Sequence, residues 1–239
     1  MARPALVALA LVAALTFVPR SPARAVVLSA GRPADQARPS GHLIAYVRSR
    51  VALLAHPGGR VVERLSSRTS YGSPQTLAVV RSRYGRWLAV STPELGNGRL
   101  AWVDARVGGL RFARTRLELD VDLSQRLVVL RRGSQVLRRL VVGVGRPGSP
   151  TPTGRFSVTD KLKGAAYSAY YGCCILALSA TQPNLPSGWT GGNRIAIHGT
   201  PSRSDFGRAV SAGCVHAPEA ELRYLMSTVP LGTPVVIHA

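Results

Sequence analysis

The chain of 239 residues holds only two lysines, Lys161 and Lys163, with 3 cysteines and 11 acidic residues. Three cysteines are too few, and odd in number, to build a disulfide scaffold. Aromatic residues reach only 6%, yet 46% of the chain is apolar and 18% charged, a balance that excludes wholesale disorder. Beyond the N-terminus no apolar run approaches the roughly 20 residues a membrane-spanning helix needs. His42, His56 and His238 have no neighbouring ligands at zinc-site spacing. No glycine-rich phosphate loop follows a strand and opens a helix. No metal and no cofactor are expected.

What is abundant is arginine. Lys+Arg total 31, for a formal charge of +20. Two readings stand side by side: a compositional bias toward Arg and Ala, or attraction to a polyanion such as nucleic acid or an anionic cell-wall polymer.

The N-terminus bears on that choice. Arg3 is a short positive segment, Ala5 to Val18 an apolar stretch of 14 residues, and Ala23-Arg24-Ala25 an A-x-A cleavage signal. Residues 1–25 read as a secretory signal peptide, cleaved after Ala25. Fourteen residues are short for a span, so a retained anchor is the lesser reading. Removing Arg3, Arg20 and Arg24 lowers the formal charge from +20 to +17. An exported protein in the periplasm or cell wall meets envelope polymers rather than nucleic acid. Export also permits disulfides.

Residues 26–40 mix small residues, Pro and Gly, and read as a linker. Over residues 41–112 short apolar runs alternate with turn signals such as Pro57-Gly58-Gly59 and Gly96-Asn97-Gly98. This spacing predicts a small all-β barrel, with Trp87 and Trp102 as core aromatics. The segment resembles bacterial SH3-like modules in its turn pattern. A second β-rich region covers 116–239. Leu117, Leu119, Val121 and Leu123 alternate with acids, a half-buried strand. Further strands are expected at 126–130, 136–144, 156–159, 194–198 and 235–238. The only good helical pattern is Pro218 to Met226, with Leu222, Leu225 and Met226 on one face.

Two short segments carry chemistry. One is His198-Gly199-Thr200 at the end of a strand. The other is Ser211-Ala212-Gly213-Cys214-Val215-His216, just before the helix. A nucleophilic cysteine needs a base, an environment favouring thiolate and donors for an oxyanion. His198 is the candidate base. The helix start offers a positive dipole end that lowers a thiol pKa. The small residues Ser211, Ala212 and Gly213 let backbone N–H groups approach a carbonyl. Residue types alone also fit a bland alternative, a small buried thiol and a core imidazole.

The stretch RIAIHGTPSRSDFGRAVSAGCVHAPEAELRYLMSTVPLGTPVVI resembles the catalytic half of L,D-transpeptidases of the YkuD type, and GVGRPGSPTPTGRFSVTDKL resembles their N-terminal half. The resemblance covers about residues 116–238. It implies a β-sandwich or β-barrel catalytic domain with one short helix after the nucleophile, which with the SH3-like β-barrel expected over 41–112 makes the fold mainly β. It also implies that Cys214 attacks the carbonyl joining the third residue of a peptidoglycan stem to a terminal D-Ala. A thioester forms, D-Ala leaves, and a side-chain amine of an acceptor stem completes a 3→3 cross-link. Water as acceptor would make the protein an L,D-carboxypeptidase, and a vestigial site would leave a cell-wall-binding protein.

By the same resemblance His198 is the proton acceptor and donor, the Gly199 carbonyl orients its imidazole, and the N–H groups of Gly213 and Cys214 form the oxyanion hole. Ser211, Thr200, His216 and Tyr171 are candidates for oxyanion or substrate contacts, and carbapenem-type inhibitors are expected to acylate the thiol. Many members carry His where Ala212 stands, and Arg or Asn where His216 stands. Tyr167, Tyr170 and Tyr171 border either the groove or the core, and Trp189, with Gly188, Gly191 and Gly192 just before the 194–198 strand, reads as a turn with an aromatic plug. Cys173 and Cys174 are expected as two buried thiols, since adjacent cysteines bond only through a strained ring. A disulfide from either to Cys214 would silence the nucleophile.

Overall fold

The computed structural model describes residues 41–239; the signal-peptide and linker readings for 1–40 lie outside the described residues. Seven strands come first: β1 (His42–Val47), β2 (Val51–Leu54), β3 (Val61–Leu65), β4 (Thr76–Arg83), β5 (Trp87–Val90), β6 (Ala101–Asp104) and β7 (Leu110–Thr115). They form one antiparallel sheet in the order β3-β2-β6-β5-β4-β1-β7. Its core is aliphatic, built from Ala45, Val47, Leu53, Leu77, Val90 and Val103. Trp87 and Trp102 are only half-buried, which corrects the expectation of core aromatics. In β6 the strand period turns Ala101 and Val103 to the core and leaves Trp102 on the other face. Trp87 carries the Arg86 guanidinium 4.7 Å above its ring.

The second set comprises β8 (Leu117–Asp122), β9 (Leu127–Arg132), β10 (Gln135–Val141), β11 (Val144–Gly145), β12 (Gly154–Lys163), β13 (Cys174–Thr181), β14 (Arg194–His198), β15 (Ala209–Ser211), β16 (Val215–His216), α1 (Glu219–Thr228) and β17 (Pro234–His238). Eight strands make a sheet in the order β10-β9-β8-β17-β12-β13-β14-β16, while β11 and β15 pair separately in parallel. The described part is thus mainly β with one α-helix, as expected. In β8 the alternating sequence gives strict alternation of buried and half-buried residues. β13 was not legible as a strand. All its residues but the last are buried, because it runs between β12 and β14 with α1 packed against it, so no period of two is written in CILALSAT.

The helix begins at Glu219, with Pro218 extended just outside it. Leu222 and Leu225 face the core and are fully buried. Among the described residues no helix is long and apolar enough to cross a membrane.

The two sheets meet through side chains that imitate strand pairing. Asn97, between β5 and β6, donates from Nδ2 to the Thr181 carbonyl at 2.7 Å. Its Oδ1 accepts the Thr181 backbone N–H at 2.8 Å. Thr181 ends β13, so the loop satisfies backbone groups the sheet leaves open. Replacing Asn97 with Ala is expected to lower stability by about 1–3 kcal/mol, because the Thr181 groups lose their partner. Chemical denaturation of the two proteins checks this, and an unchanged midpoint would refute it.

Candidate active site

β14 and β16 are both short, and they pair in parallel: Ile197 lies opposite Val215 and His198 opposite His216. That register brings the strand end bearing His198 beside the segment bearing Cys214, one residue before β16. The Ala217 N–H extends the contact by donating to the His198 carbonyl at 2.8 Å. A cavity of about 540 Å³ opens here, lined by Cys214, His198, Ser211, His216, Tyr171 and further residues, among them Tyr71 of the loop between β3 and β4. Gly199, Gly213 and Thr200 are not among its lining residues and act from behind it.

His198 is buried, and its Nδ1 donates to the Gly199 carbonyl at 2.5 Å. A carbonyl only accepts, so Nδ1 carries the proton and Nε2 is left as the basic nitrogen. The ring of Tyr171 meets the imidazole edge-on, 4.8 Å between centroids. Burial, together with the neighbouring His216, pushes the His198 pKa down to about 4, against the opposing pull of the Gly199 carbonyl. The imidazole is therefore neutral at ordinary pH.

Glycine at 199 is dictated by crowding. Its N–H donates to the Tyr171 carbonyl at 3.0 Å, and a Cβ there would stand 2.8 Å from that oxygen and 2.9 Å from Gly172 Cα. The tyrosine turn is fastened in addition by Glu219 in the first turn of α1. Its Oε1 accepts the Cys173 N–H at 2.7 Å, and its Oε2 pairs with Arg223.

Cys214 is the free cysteine of the described chain. Its thiol donates to the Arg194 carbonyl at 3.9 Å. The expected lowering of its pKa does not occur: burial pushes the thiol up to about 11, although the Ala196 backbone N–H works in the opposite direction. The helix that was to supply a positive end starts five residues later, beyond the reach of a terminal-turn effect. Cys173 and Cys174 are joined to each other by a disulfide, which corrects the expectation of two buried thiols. They sit at the bend between the tyrosine turn and β13, where Cys173 is outside the strand and the alternation that would separate the two side chains has not begun. Neither pairs with Cys214.

The loop before Cys214 is locked from within. Ser211 Oγ donates to the Cys214 carbonyl at 2.5 Å and accepts the Gly213 N–H at 3.0 Å. The Gly213 N–H is thus engaged by Ser211 rather than open to a substrate oxygen. The Cys214 N–H has no such partner among the described hydrogen bonds. Gly213 has φ +123°, and a Cβ there would run into the Gln182 amide. Gln182 donates to the carbonyls of Ala212 (3.1 Å) and Pro150 (2.9 Å), while the Thr151 hydroxyl donates to the Gly213 carbonyl at 2.8 Å.

Thr200 faces away from the cavity, and its hydroxyl donates to Asp205 at 2.7 Å. The same carboxylate oxygen accepts from His216 Nδ1 at 2.7 Å. Burial opposes the Asp205 charge, but the hydrogen bonds from Thr200 and His216 prevail and hold its pKa below the usual value. The Tyr170 hydroxyl lies 3.4 Å from His216 Nε2, and the two imidazoles are 4.9 Å apart. Sequence reasoning missed Asp205, Gln182, Thr151 and Arg194. One signal for Asp205 existed: it is the only acid between the two motifs in a chain with 11 acidic residues. Tyr167, Tyr170 and Trp189 all line the cavity. No three His, Cys, Asp or Glu side chains lie close enough to hold a metal among the described residues.

The chain is 27% identical over 154 residues to "Putative L,D-transpeptidase YkuD" of Bacillus subtilis, covering 63% of this chain and 84% of that protein. It is 32% identical over 105 residues to a second Bacillus subtilis protein of the kind, YqjB, spanning 40% of this chain and 56% of that one. Among solved structures, an L,D-transpeptidase from Mycobacterium smegmatis superposes with a TM-score of 0.45 at 15% identity, over 84% of this chain and 96% of that one. The family model for the L,D-transpeptidase catalytic domain, YkuD, matches residues 116–237, about half of the chain. The stretch from β8 through β17, with Cys214 and His198 on one cavity, therefore makes this chain a member of the YkuD L,D-transpeptidase family.

Proposed function

We propose that the protein forms 3→3 peptidoglycan cross-links through a thioester on Cys214. The observation that carries this reading is the tautomer imposed on His198. With Nδ1 committed to the Gly199 carbonyl, Nε2 is free to take a proton in the cavity that Cys214 also lines. The Cys214 sulfur attacks the carbonyl of the third stem residue as its proton passes to His198 Nε2. The oxyanion is met by the Cys214 N–H, and the Gly213 N–H joins it only if Ser211 releases it. The C–N bond to D-Ala breaks, and His198 returns the proton to the leaving amine. The acceptor's side-chain amine then attacks the thioester, gives a proton to His198, and the thiol is restored as the C–S bond breaks.

The charge states set the character of the first step. A thiol pushed up to about 11 and an imidazole pushed down to about 4 rest as a neutral pair, not as thiolate and imidazolium. The proton transfer accompanies the attack. The apolar side chains of Ile175, Ala177, Ile195 and Leu162 in the cavity wall support an amine rather than water as the second acceptor. A leader-like stretch at residues 1–25 supports export of this chemistry to where the polymer lies, and the arginine excess supports retention on anionic wall polymers.

Purified protein incubated with sacculi is expected to yield 3→3 dimers and free D-Ala, and Cys214→Ala to yield neither. D-Ala with shortened stems and no dimers would make it a carboxypeptidase instead. A carbapenem adduct seen by intact mass on the wild type and missing from Cys214→Ala locates the nucleophile. His198→Gln is expected to slow acylation by about 10²–10⁴-fold. A base works only unprotonated, so acylation should stay level through neutral pH and fall as acid approaches the His198 value of about 4. Thiolate absorbance should emerge only toward the Cys214 value of about 11. A resting thiolate at neutral pH would contradict the neutral pair.

A further inference from the structure

The cavity is not walled by the family domain alone. Tyr71 belongs to the loop between β3 and β4 of the first sheet, yet it lines the same cavity as Cys214 and His198. We propose that this loop forms the outer wall of the substrate cavity, and that Tyr71 is a specificity-determining residue for the part of the donor stem remote from the scissile bond. The inference deepens the transpeptidase reading and rests on it.

Three observations support it. The first is that the loop is built rather than slack. Thr69 and Ser73 close it through backbone bonds, Gly72 N–H donates to the Thr69 carbonyl at 3.0 Å, and Arg68 Nη1 donates to the Gly72 carbonyl at 2.6 Å. The second is that it is fastened to the family domain by a buried group. The Thr69 hydroxyl donates to Asp160, a fully buried carboxylate in β12. Asp160 also faces Arg194 Nη1 at 3.7 Å. The Arg194 guanidinium lies 5.5 Å from the centre of the Tyr71 ring, and the Arg194 carbonyl is the acceptor of the Cys214 thiol. Tyr71 is thereby registered to the strand that carries the base.

The third observation is where the exposed aromatic surface lies. Tyr71 meets Tyr167 edge-on at 6.1 Å between centroids, and both keep more than a third of their surface open, as does Trp189 across the cavity. Large apolar rings held open on a preformed wall offer contact area at little ordering cost. The reacting carbonyl must sit at Cys214. Among the described contacts the Tyr71 ring meets Tyr167 and the Arg194 guanidinium, not Cys214 or His198, so it is placed to touch the donor away from that carbonyl and add binding without touching the chemistry.

The test is steady-state kinetics with a disaccharide-tetrapeptide donor, beside the rate of acylation by a carbapenem. Tyr71→Ala is expected to raise the donor KM about tenfold while kcat, carbapenem acylation and thermal midpoint stay at wild-type levels, the pattern of lost binding that is equal in ground and transition states. Tyr71→Phe, which keeps the ring, is expected to restore the KM. An unchanged KM in Tyr71→Ala overturns the inference. So does a parallel loss of kcat and carbapenem acylation with KM intact, which would make Tyr71 a prop for Arg194 instead. A wild type that turns over no donor overturns the proposed function, and this inference falls with it; a wild type that works as well as Tyr71→Ala sinks the inference alone.

Discussion

Two rungs of parallel pairing, Ile197 with Val215 and His198 with His216, are what the rest of the site depends on. They join two segments that are each held separately, β14 by its pairing with β13 and the Cys214 loop by Ser211, Gln182 and Thr151. A slip of one residue would turn His198 off the cavity and send its neighbours in its place, because side chains alternate along a strand. The structure guards the register from both ends. The Ala217 N–H continues the bonding beyond β16, Gly143 exchanges backbone hydrogen bonds with His216 inside it, and the Gly199 N–H ties the end of β14 to the tyrosine turn. Glu219 then ties that turn to the first turn of α1.

Burial is the second constraint, and it sets the chemistry. It opposes charge on every group it covers, so the thiol and the imidazole both settle in their neutral forms. What compensates is orientation. His198 is fixed by a main-chain oxygen, whereas His216 is fixed by the Asp205 carboxylate. The two imidazoles are therefore differently equipped. One is a neutral base with a free nitrogen; the other is anchored to a carboxylate that Thr200 also holds, and it carries the Tyr170 hydroxyl on its far side. An acid placed on His216 leaves the main chain as the orienting partner of His198.

The first sheet is more than a spacer. Asn97 completes the end of β13, and Thr69 supplies a hydroxyl to the buried Asp160. Asp160 would otherwise be a carboxylate facing only Arg194 in the interior, an expensive arrangement unless its remaining lone pairs are satisfied. The contact between the sheets thus satisfies one oxygen of this carboxylate, while the other faces Arg194 at 3.7 Å without a hydrogen bond, and the same contact sets Tyr71 at the cavity.

Much was legible in the chain before folding. The alternation of Leu117, Leu119 and Val121 determined a half-buried strand, and the small residues before Cys214 marked a tight loop beside that thiol. These are local properties, carried by period and residue size. β13 was hidden because a strand buried on both faces has no alternation to display. The indoles of Trp87 and Trp102 were misplaced because aliphatic side chains on the same strands filled the core first. Whether Gly213 offers its N–H, whether Cys214 ionises, whether Cys173 meets Cys174, and which acid stands behind His216 were decided only by the fold. Each depends on which atoms from distant segments lie within a few ångströms, and on how little water lies between them, and neither quantity is written in any window of sequence.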